Sequence, residues 1–219
     1  MHDSLSIDVI NTLAVIILLT DFMLVASGRM RSLTRLFALQ SLALGGLAAV
    51  VALVTGAEHI YVVAVLSIVI KAVIIPRFIE YTMMKMQLNK EVEPLIRIPG
   101  SLLICAALAL LAYYIAEPVM ALGTAITSNC LAISFISVLI GMFLMVARRK
   151  AITEVIGLLV VENGVFLAAI STTYSMPMIV ELGVFFDILV GVIIMGIFVF
   201  HINRTFDSID TTELRGLRD

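Results

Sequence analysis

The chain has 219 residues, of which 62% are hydrophobic and 14% are charged, and its formal net charge is -2. A soluble domain has roughly 45–50% apolar and about 25% charged residues, so this composition excludes an ordinary soluble protein. A transmembrane β-barrel is excluded too, because the apolar stretches are continuous and do not alternate with polar residues.

Taken in chain order, the hydrophobic residues form seven apolar stretches, at 8–27, 33–55, 59–82, 98–116, 126–147, 152–173 and 178–202. At about 1.5 Å per residue, each is long enough to cross roughly 30 Å of hydrocarbon. The first has an acidic flank and no small-residue cleavage site, so we expect it to be retained as a span. The sequence therefore predicts an all-α, polytopic bundle of about seven transmembrane helices in one membrane domain, residues 1–219.

The basic residues mark one side of this bundle. They surround the first, third and fifth connections and the C-terminal tail, at Arg29, Arg31, Arg35, Arg77, Lys85, Lys90, Arg97, Arg148, Arg149, Lys150, Arg204, Arg215 and Arg218. Cytoplasmic loops carry an excess of Lys and Arg. This pattern predicts an outside N-terminus and a cytoplasmic C-terminus.

Three ionisable residues lie near the middle of apolar stretches, Lys71 in the third, Glu162 in the sixth and Asp187 in the seventh, and Asp21 lies in the first, somewhat closer to the cytoplasmic side. A charge at the bilayer centre costs roughly 2.5–3.5 kcal/mol on insertion scales, so such residues generally face protein or water and serve a function. Counted from the ends of their stretches, Lys71, Glu162 and Asp187 share a depth near the mid-plane, which predicts a lateral proton or ion relay. The alternative is that Lys71 pairs with Asp187 or Asp21 only to hold helices together.

Further polar residues can join or open such a relay. Gln40, Asn163 and Ser67 also lie in apolar stretches and can link the charged groups, together with water. Glu181, near the outer end of the seventh stretch, and Glu80, near the inner end of the third, are shallow enough to be either access points or interfacial residues.

Two backbone features accompany these charges. Gly164, next to Glu162 and Asn163, permits close approach of a neighbouring helix or water. Pro76 is predicted to kink the third stretch just beyond Lys71. A shift of about 116 residues places Lys71 opposite Asp187, which indicates a weak parallel duplication of units 29–82 and 148–202.

No cofactor is expected on this chain. The three histidines, His2, His59 and His201, do not share a depth at which two could ligate a haem, and there is no CxxC pair for an iron–sulfur cluster.

The second unit resembles the small, three-span subunit K of respiratory complex I and its counterpart in the related antiporters. The similarity lies in the segment ARRKAITEVIGLLVVENG, in the later FFDILVG and in the tail DSIDTTELRG. Asp187 and Gly191 match the family's second acidic residue and its glycine. Leu159 stands at the place of the first acidic residue, and Glu162 follows about one helical turn later.

The whole chain resembles the hydrogenase-4 component E family through its length, its seven stretches and the segments LQS, IKAVIIP and VENG. The resemblance implies a non-catalytic membrane-arm subunit of an energy-converting complex in the prokaryotic cytoplasmic membrane, contributing to proton or sodium translocation and to assembly. It implies antiporter-like subunits and a peripheral hydrogenase-like arm as partners, with a NiFe centre and iron–sulfur clusters on that arm. No nucleic-acid partner is expected. A stand-alone secondary transporter and a purely structural membrane anchor are the alternatives.

Overall fold

The structure is a computed structural model that describes residues 2–56, 61, 64–65, 67–85, 95–120, 128–148, 150–172, 191 and 196. Every regular element within these residues is helical, as the composition predicts. The elements are α1 (His2–Ala26), α2 (Met30–Thr55), a π-helical segment (Ile68–Ile74), α3 (Ile75–Lys85), α4 (Ile98–Met120), α5 (Ser128–Ala147) and α6 (Ala151–Thr172).

Five of these helices are long and apolar enough to cross a membrane. The candidate spans are Leu5–Ala26, Met30–Thr55, Ile98–Pro118, Asn129–Ala147 and Ile152–Thr172. They confirm the first, second, fourth, fifth and sixth predicted stretches. The stretch 59–82 is described in part, as the π-helical segment and most of α3, and 178–202 lies outside the described residues apart from Gly191 and Gly196. The total of seven spans therefore stays a prediction.

Glycines allow α5 and α6 to pack backbone against backbone. A Cβ atom on Gly157 would lie 2.9 Å from the Gly141 carbonyl oxygen and 3.0 Å from the Met145 nitrogen. Two turns further along α6, a Cβ on Gly164 would lie 2.9 Å from the Ser134 carbonyl oxygen. Small residues at such crossings are what allows membrane helices to approach closely. The predicted close approach at Gly164 is confirmed, and it fixes the face of α6 that carries Glu162 and Asn163.

The basic connections meet at one end of the bundle. Arg148, which directly follows α5, donates from Nη2 to the carbonyl oxygens of Val25 at 2.8 Å and Ser27 at 3.3 Å, at the C-terminal end of α1. The amide of Leu95 donates to the Ala147 carbonyl oxygen at 3.0 Å. The first, third and fifth connections therefore share an end, as the predicted topology requires. The side of the membrane that this end faces stays a prediction.

The core has two apolar clusters, one towards each end of the bundle. The basic-end cluster includes Leu24, Phe37, Ile79, Ile140, Ile156 and Leu159. The opposite cluster includes Ile10, Ile17, Leu47, Ile133, Phe166 and Leu167. In α1, α2 and α6 the residues of the two clusters are separated by a short run that contains buried polar residues.

Candidate functional site: a buried polar layer

A layer of buried polar side chains separates the two apolar clusters. Five elements contribute to it, and we call it the polar layer: Asp21 of α1, Gln40 and Ser41 of α2, Lys71 of the π-helical segment, Ser137 of α5, and Glu162 and Asn163 of α6. The predicted common depth of Lys71 and Glu162 is confirmed, and Asp21 joins them at that level. Within the described residues, the layer brings together side chains that are up to 142 residues apart in the sequence.

Lys71 and Glu162 form an ion pair inside this layer. The Lys71 Nζ lies 2.8 Å from Glu162 Oε1, and the two side chains are only 4% and 8% exposed. Lys71 also donates to Asn163 Oδ1 at 3.4 Å, and its ammonium lies 6.0 Å from the centre of the Phe166 ring. Because removing a charge from water is costly, a buried pair of this kind persists when further polar contacts support it. The amide and the ring supply those contacts to the lysine.

The backbone around Lys71 is widened. Lys71 lies at the centre of the π-helical segment, whose last turn closes with the amide of Ile75 donating to the Ile70 carbonyl oxygen. Pro76 follows immediately and has no amide hydrogen to continue the helical ladder. The predicted disturbance at Pro76 thus takes the form of a π-helical segment directly before it, and such segments occur frequently at functional sites.

Asp21 is the second anionic position of the layer. Its Oδ1 accepts a hydrogen bond of 2.6 Å from Gln40 Nε2, and its Oδ2 accepts one of 2.6 Å from Ser137 Oγ. The sequence offers Asp21 and Asp187 as alternative partners for Lys71. Asp21 is bonded to neutral side chains, so the pairing of Lys71 with Asp21 is wrong. Asp187 lies outside the described residues.

Two amides connect the ion pair with Asp21. Asn163 Nδ2 donates to Gln40 Oε1 at 3.4 Å and to Ser41 Oγ at 3.2 Å. The contacts form one continuous path from Glu162 through Lys71, Asn163 and Gln40 to Asp21. Gln40 and Asn163 thus lie between the charged groups, and their role in a relay stays a prediction.

Two of the other predicted residues, Ser67 and Glu80, do not join this path. Ser67 Oγ is buried and has no hydrogen-bond partner among the described residues. Glu80 is half-buried in α3, nine residues beyond Lys71, or roughly 13 Å along a helix. Asp187 and Glu181 lie outside the described residues, so their relay and access roles stay predictions.

Ser137 and Ser41 belong to the site although the sequence did not single them out. Serine in an apolar helix commonly bonds to the preceding turn of its own backbone. Ser134 does so, donating to the Leu131 carbonyl oxygen at 2.6 Å, whereas Ser137, three residues later, donates to Asp21. The sequence contains no signal that distinguishes the two serines, because the difference lies in which helix faces each of them.

The acid-bearing position of α6 is displaced by one turn relative to the subunit K pattern. Leu159 is fully buried in the basic-end cluster, whereas Glu162 lies in the polar layer. Among the residues that the structure describes, no group of three His, Cys, Asp or Glu side chains could hold a metal ion.

Comparison with known proteins agrees with this architecture. The family model of NADH-ubiquinone/plastoquinone oxidoreductase chain 4L matches residues 129–219. An uncharacterised protein of Mycobacterium tuberculosis is 30% identical over 204 residues, which are 93% of this chain and 93% of that protein. Hydrogenase-4 component E of Escherichia coli K12 is 25% identical over 213 residues, which are 96% of this chain and 97% of that protein. No solved structure matches the chain significantly.

Proposed function

We infer that this chain, which belongs to the hydrogenase-4 component E family, is a membrane subunit of a complex I-like oxidoreductase and contributes a section of its proton path. Its partners would be antiporter-like membrane subunits and a peripheral hydrogenase-like arm. That arm would carry the NiFe centre and the iron–sulfur clusters, and this chain would carry out no redox step. The complex would lie in the prokaryotic cytoplasmic membrane, with the basic end of this bundle in the cytoplasm.

The observation that carries the proposal is the polar layer. Lys71, Glu162 and Asp21 are ionisable, and all three are buried in one hydrogen-bonded layer between two apolar clusters. Ionisable groups within membrane spans are rare and mark ion or proton pathways. Asp187, at the predicted equivalent position of the seventh stretch, would extend the layer from the remaining helix.

The transported ion is inferred to be the proton. A sodium site needs several oxygen ligands around a vacant position. Here the Lys71 ammonium occupies the space between Glu162 Oε1 and Asn163 Oδ1, at 2.8 and 3.4 Å. The protein's own cation thus fills the place that a metal ion would take, whereas protonation changes need no additional volume.

Isolation from native membranes tests the assignment to a complex. We expect an affinity-tagged chain to co-purify with antiporter-like subunits and with iron–sulfur proteins in fixed proportion. Isolation of this chain alone, with transport activity in vesicles, would instead establish the stand-alone transporter.

Substitution in the intact complex tests the proton path. We expect Glu162→Gln and Asp21→Asn to reduce proton translocation per electron transferred by at least tenfold while the complex assembles. Glu154→Gln is the matched control, because Glu154 is an exposed glutamate in the first turn of the same helix. Unchanged proton-to-electron ratios in assembled Glu162→Gln and Asp21→Asn complexes would refute the path and leave an anchoring role.

A further inference from the structure

The two amides of the polar layer are aligned in the same direction. Asn163 presents its oxygen to the Lys71 ammonium and its nitrogen to Gln40. Gln40 in turn presents its oxygen to Asn163 and its nitrogen to Asp21. Each amide therefore has its acceptor towards the cation and its donor towards the anion.

The charges at the two ends determine this direction. An ammonium group can only donate hydrogen bonds, and an ionised carboxylate can only accept them. Reversing Gln40 alone would place its oxygen against the Asp21 carboxylate and its nitrogen against the Asn163 nitrogen. Both amides must therefore keep their orientation or reverse together. Neutralising Lys71 or Asp21 removes the preference for one amide orientation at that end of the pair.

The amides differ chemically from the groups that they join. Side-chain amides have two N–H donors and an acceptor oxygen and carry no titrating proton. The path from Lys71 to Asp21 consequently contains two positions that transmit polarisation but do not bind and release protons.

We propose that the Asn163–Gln40 amide pair couples the charge state of Lys71 to that of Asp21 without carrying protons between them. When Lys71 is charged, it polarises Asn163, which strengthens the donors of Asn163 and, through Gln40, the hydrogen bond to Asp21. Chains of hydrogen bonds in a low-dielectric interior reinforce one another in this way. When Lys71 is neutral, the support for an ionised Asp21 is withdrawn. Gln40 and Asn163 are positioning residues in this scheme. The coupling would regulate the proposed proton path, so its functional meaning rests on the proposed function.

Nuclear magnetic resonance of the full chain in lipid bilayers tests the coupling directly. The chain contains only two glutamines, Gln40 and Gln87, so labelling of glutamine side-chain nitrogen gives two amide signals, and Gln40→Met identifies one of them. Lys71 is not a hydrogen-bond partner of Gln40. We nevertheless expect Lys71→Met to move the Gln40 amide proton signal upfield, because its bond to Asp21 weakens. Lys71→Arg, which retains the charge, should leave the signal near its original position.

Asn163 provides the test of the route. In an Asn163→Leu background, the additional effect of Lys71→Met on the Gln40 signal should disappear, whereas in an Asn129→Leu background it should persist, since Asn129 lies outside the layer and is exposed. An unmoved Gln40 signal in Lys71→Met would overturn the proposal. So would an equal effect of Lys71→Met with and without Asn163, because the coupling would then not use the amides.

A measurement on the unsubstituted protein guards against misfolded variants. Dipolar recoupling between the Gln40 side-chain nitrogen and the Asp21 carboxyl carbon should show the nitrogen as the nearer amide atom, and the reversed orientation contradicts the scheme. Proton translocation by the intact complex with the same substitutions separates this proposal from the proposed function. Lost translocation in Lys71→Met with an unmoved Gln40 signal rejects only the amide coupling. Retained translocation with a moved signal rejects only the proton path.

Discussion

Glu162→Gln is expected to destabilise the helix bundle because it leaves the Lys71 ammonium buried without its counter-ion. The two atoms are 2.8 Å apart, and at an effective dielectric constant of about 20 their attraction is roughly 6 kcal/mol before desolvation is subtracted. Removing one member of a buried pair typically costs about 3–5 kcal/mol. Lys71 would retain the Asn163 oxygen at 3.4 Å and the Phe166 ring. We therefore expect a loss of about 3 kcal/mol in the free energy of unfolding, at the lower end of that range.

The assay is equilibrium unfolding of the purified chain in mixed micelles with increasing denaturing detergent. Lys71→Met and the double variant Lys71→Met/Glu162→Gln complete a double-mutant cycle. Because the double variant removes both members of the ion pair and leaves neither without its counter-ion, its destabilisation should fall short of the sum of the single effects by at least about 2 kcal/mol. Glu154→Gln, exposed in the first turn of the same helix, should cost under about 1 kcal/mol.

Two results would refute this reasoning. If Glu162→Gln costs no more than Glu154→Gln, the ion pair does not contribute to the stability of the bundle. If the single effects simply add in the double variant, the two side chains do not interact energetically, and their proximity has no thermodynamic consequence.

Three further substitutions test a helix crossing, a contact between connections and a hydrogen bond within the polar layer. Gly157→Ala should destabilise the bundle by about 1–3 kcal/mol, because the added methyl group meets backbone atoms of α5. Gly28→Ala is the control in the same unfolding assay, since no atom lies within 4 Å of the added carbon. Equal effects of the two substitutions would contradict the close crossing. Arg148→Gln should lower the free energy of unfolding by about 1–3 kcal/mol, because it leaves carbonyl groups at the end of α1 unpaired. Arg148→Lys should have a smaller effect. An unchanged free energy of unfolding in Arg148→Gln would show that the contact is dispensable. Ser137→Ala should lower the rate of proton translocation at least severalfold by removing a donor from Asp21, whereas Ser134→Ala, whose hydroxyl bonds only to its own helix, should not.

The buried charges could be identified from the sequence because their insertion cost is a property of residue type and depth. Lys71 and Glu162 interrupt apolar stretches, and counting from the ends of those stretches is sufficient to place them near one level of the membrane. The choice of partner could not be predicted, because it depends on how each helix is rotated about its axis. The pairing of Lys71 with Glu162 and not Asp21 is therefore visible only in the assembled bundle.

Arg148 illustrates a different limit. Arg148 belongs to a basic connection and is one of the charges from which the topology is predicted, yet its side chain is only 4% exposed. Its guanidinium donates to carbonyl oxygens at the C-terminal end of α1 in place of water, and a cation at that end interacts favourably with the helix dipole. Burial lowers the pKa of Arg148 from its ordinary value, but an arginine remains charged at neutral pH. Loop position alone gives no information on such a contact between connections.

The arrangement of the two apolar clusters constrains the direction of any proton path. Within the described residues, the basic-end cluster and the opposite cluster close the bundle on both sides of the polar layer. Protons that reach Glu162, Lys71 or Asp21 would therefore arrive and leave mainly within the plane of the layer. An in-plane path is useful to a subunit with neighbours on its flanks and of little use to a lone transporter, which must connect one face of the membrane with the other. The proposed in-plane path thus favours a position within a larger membrane arm.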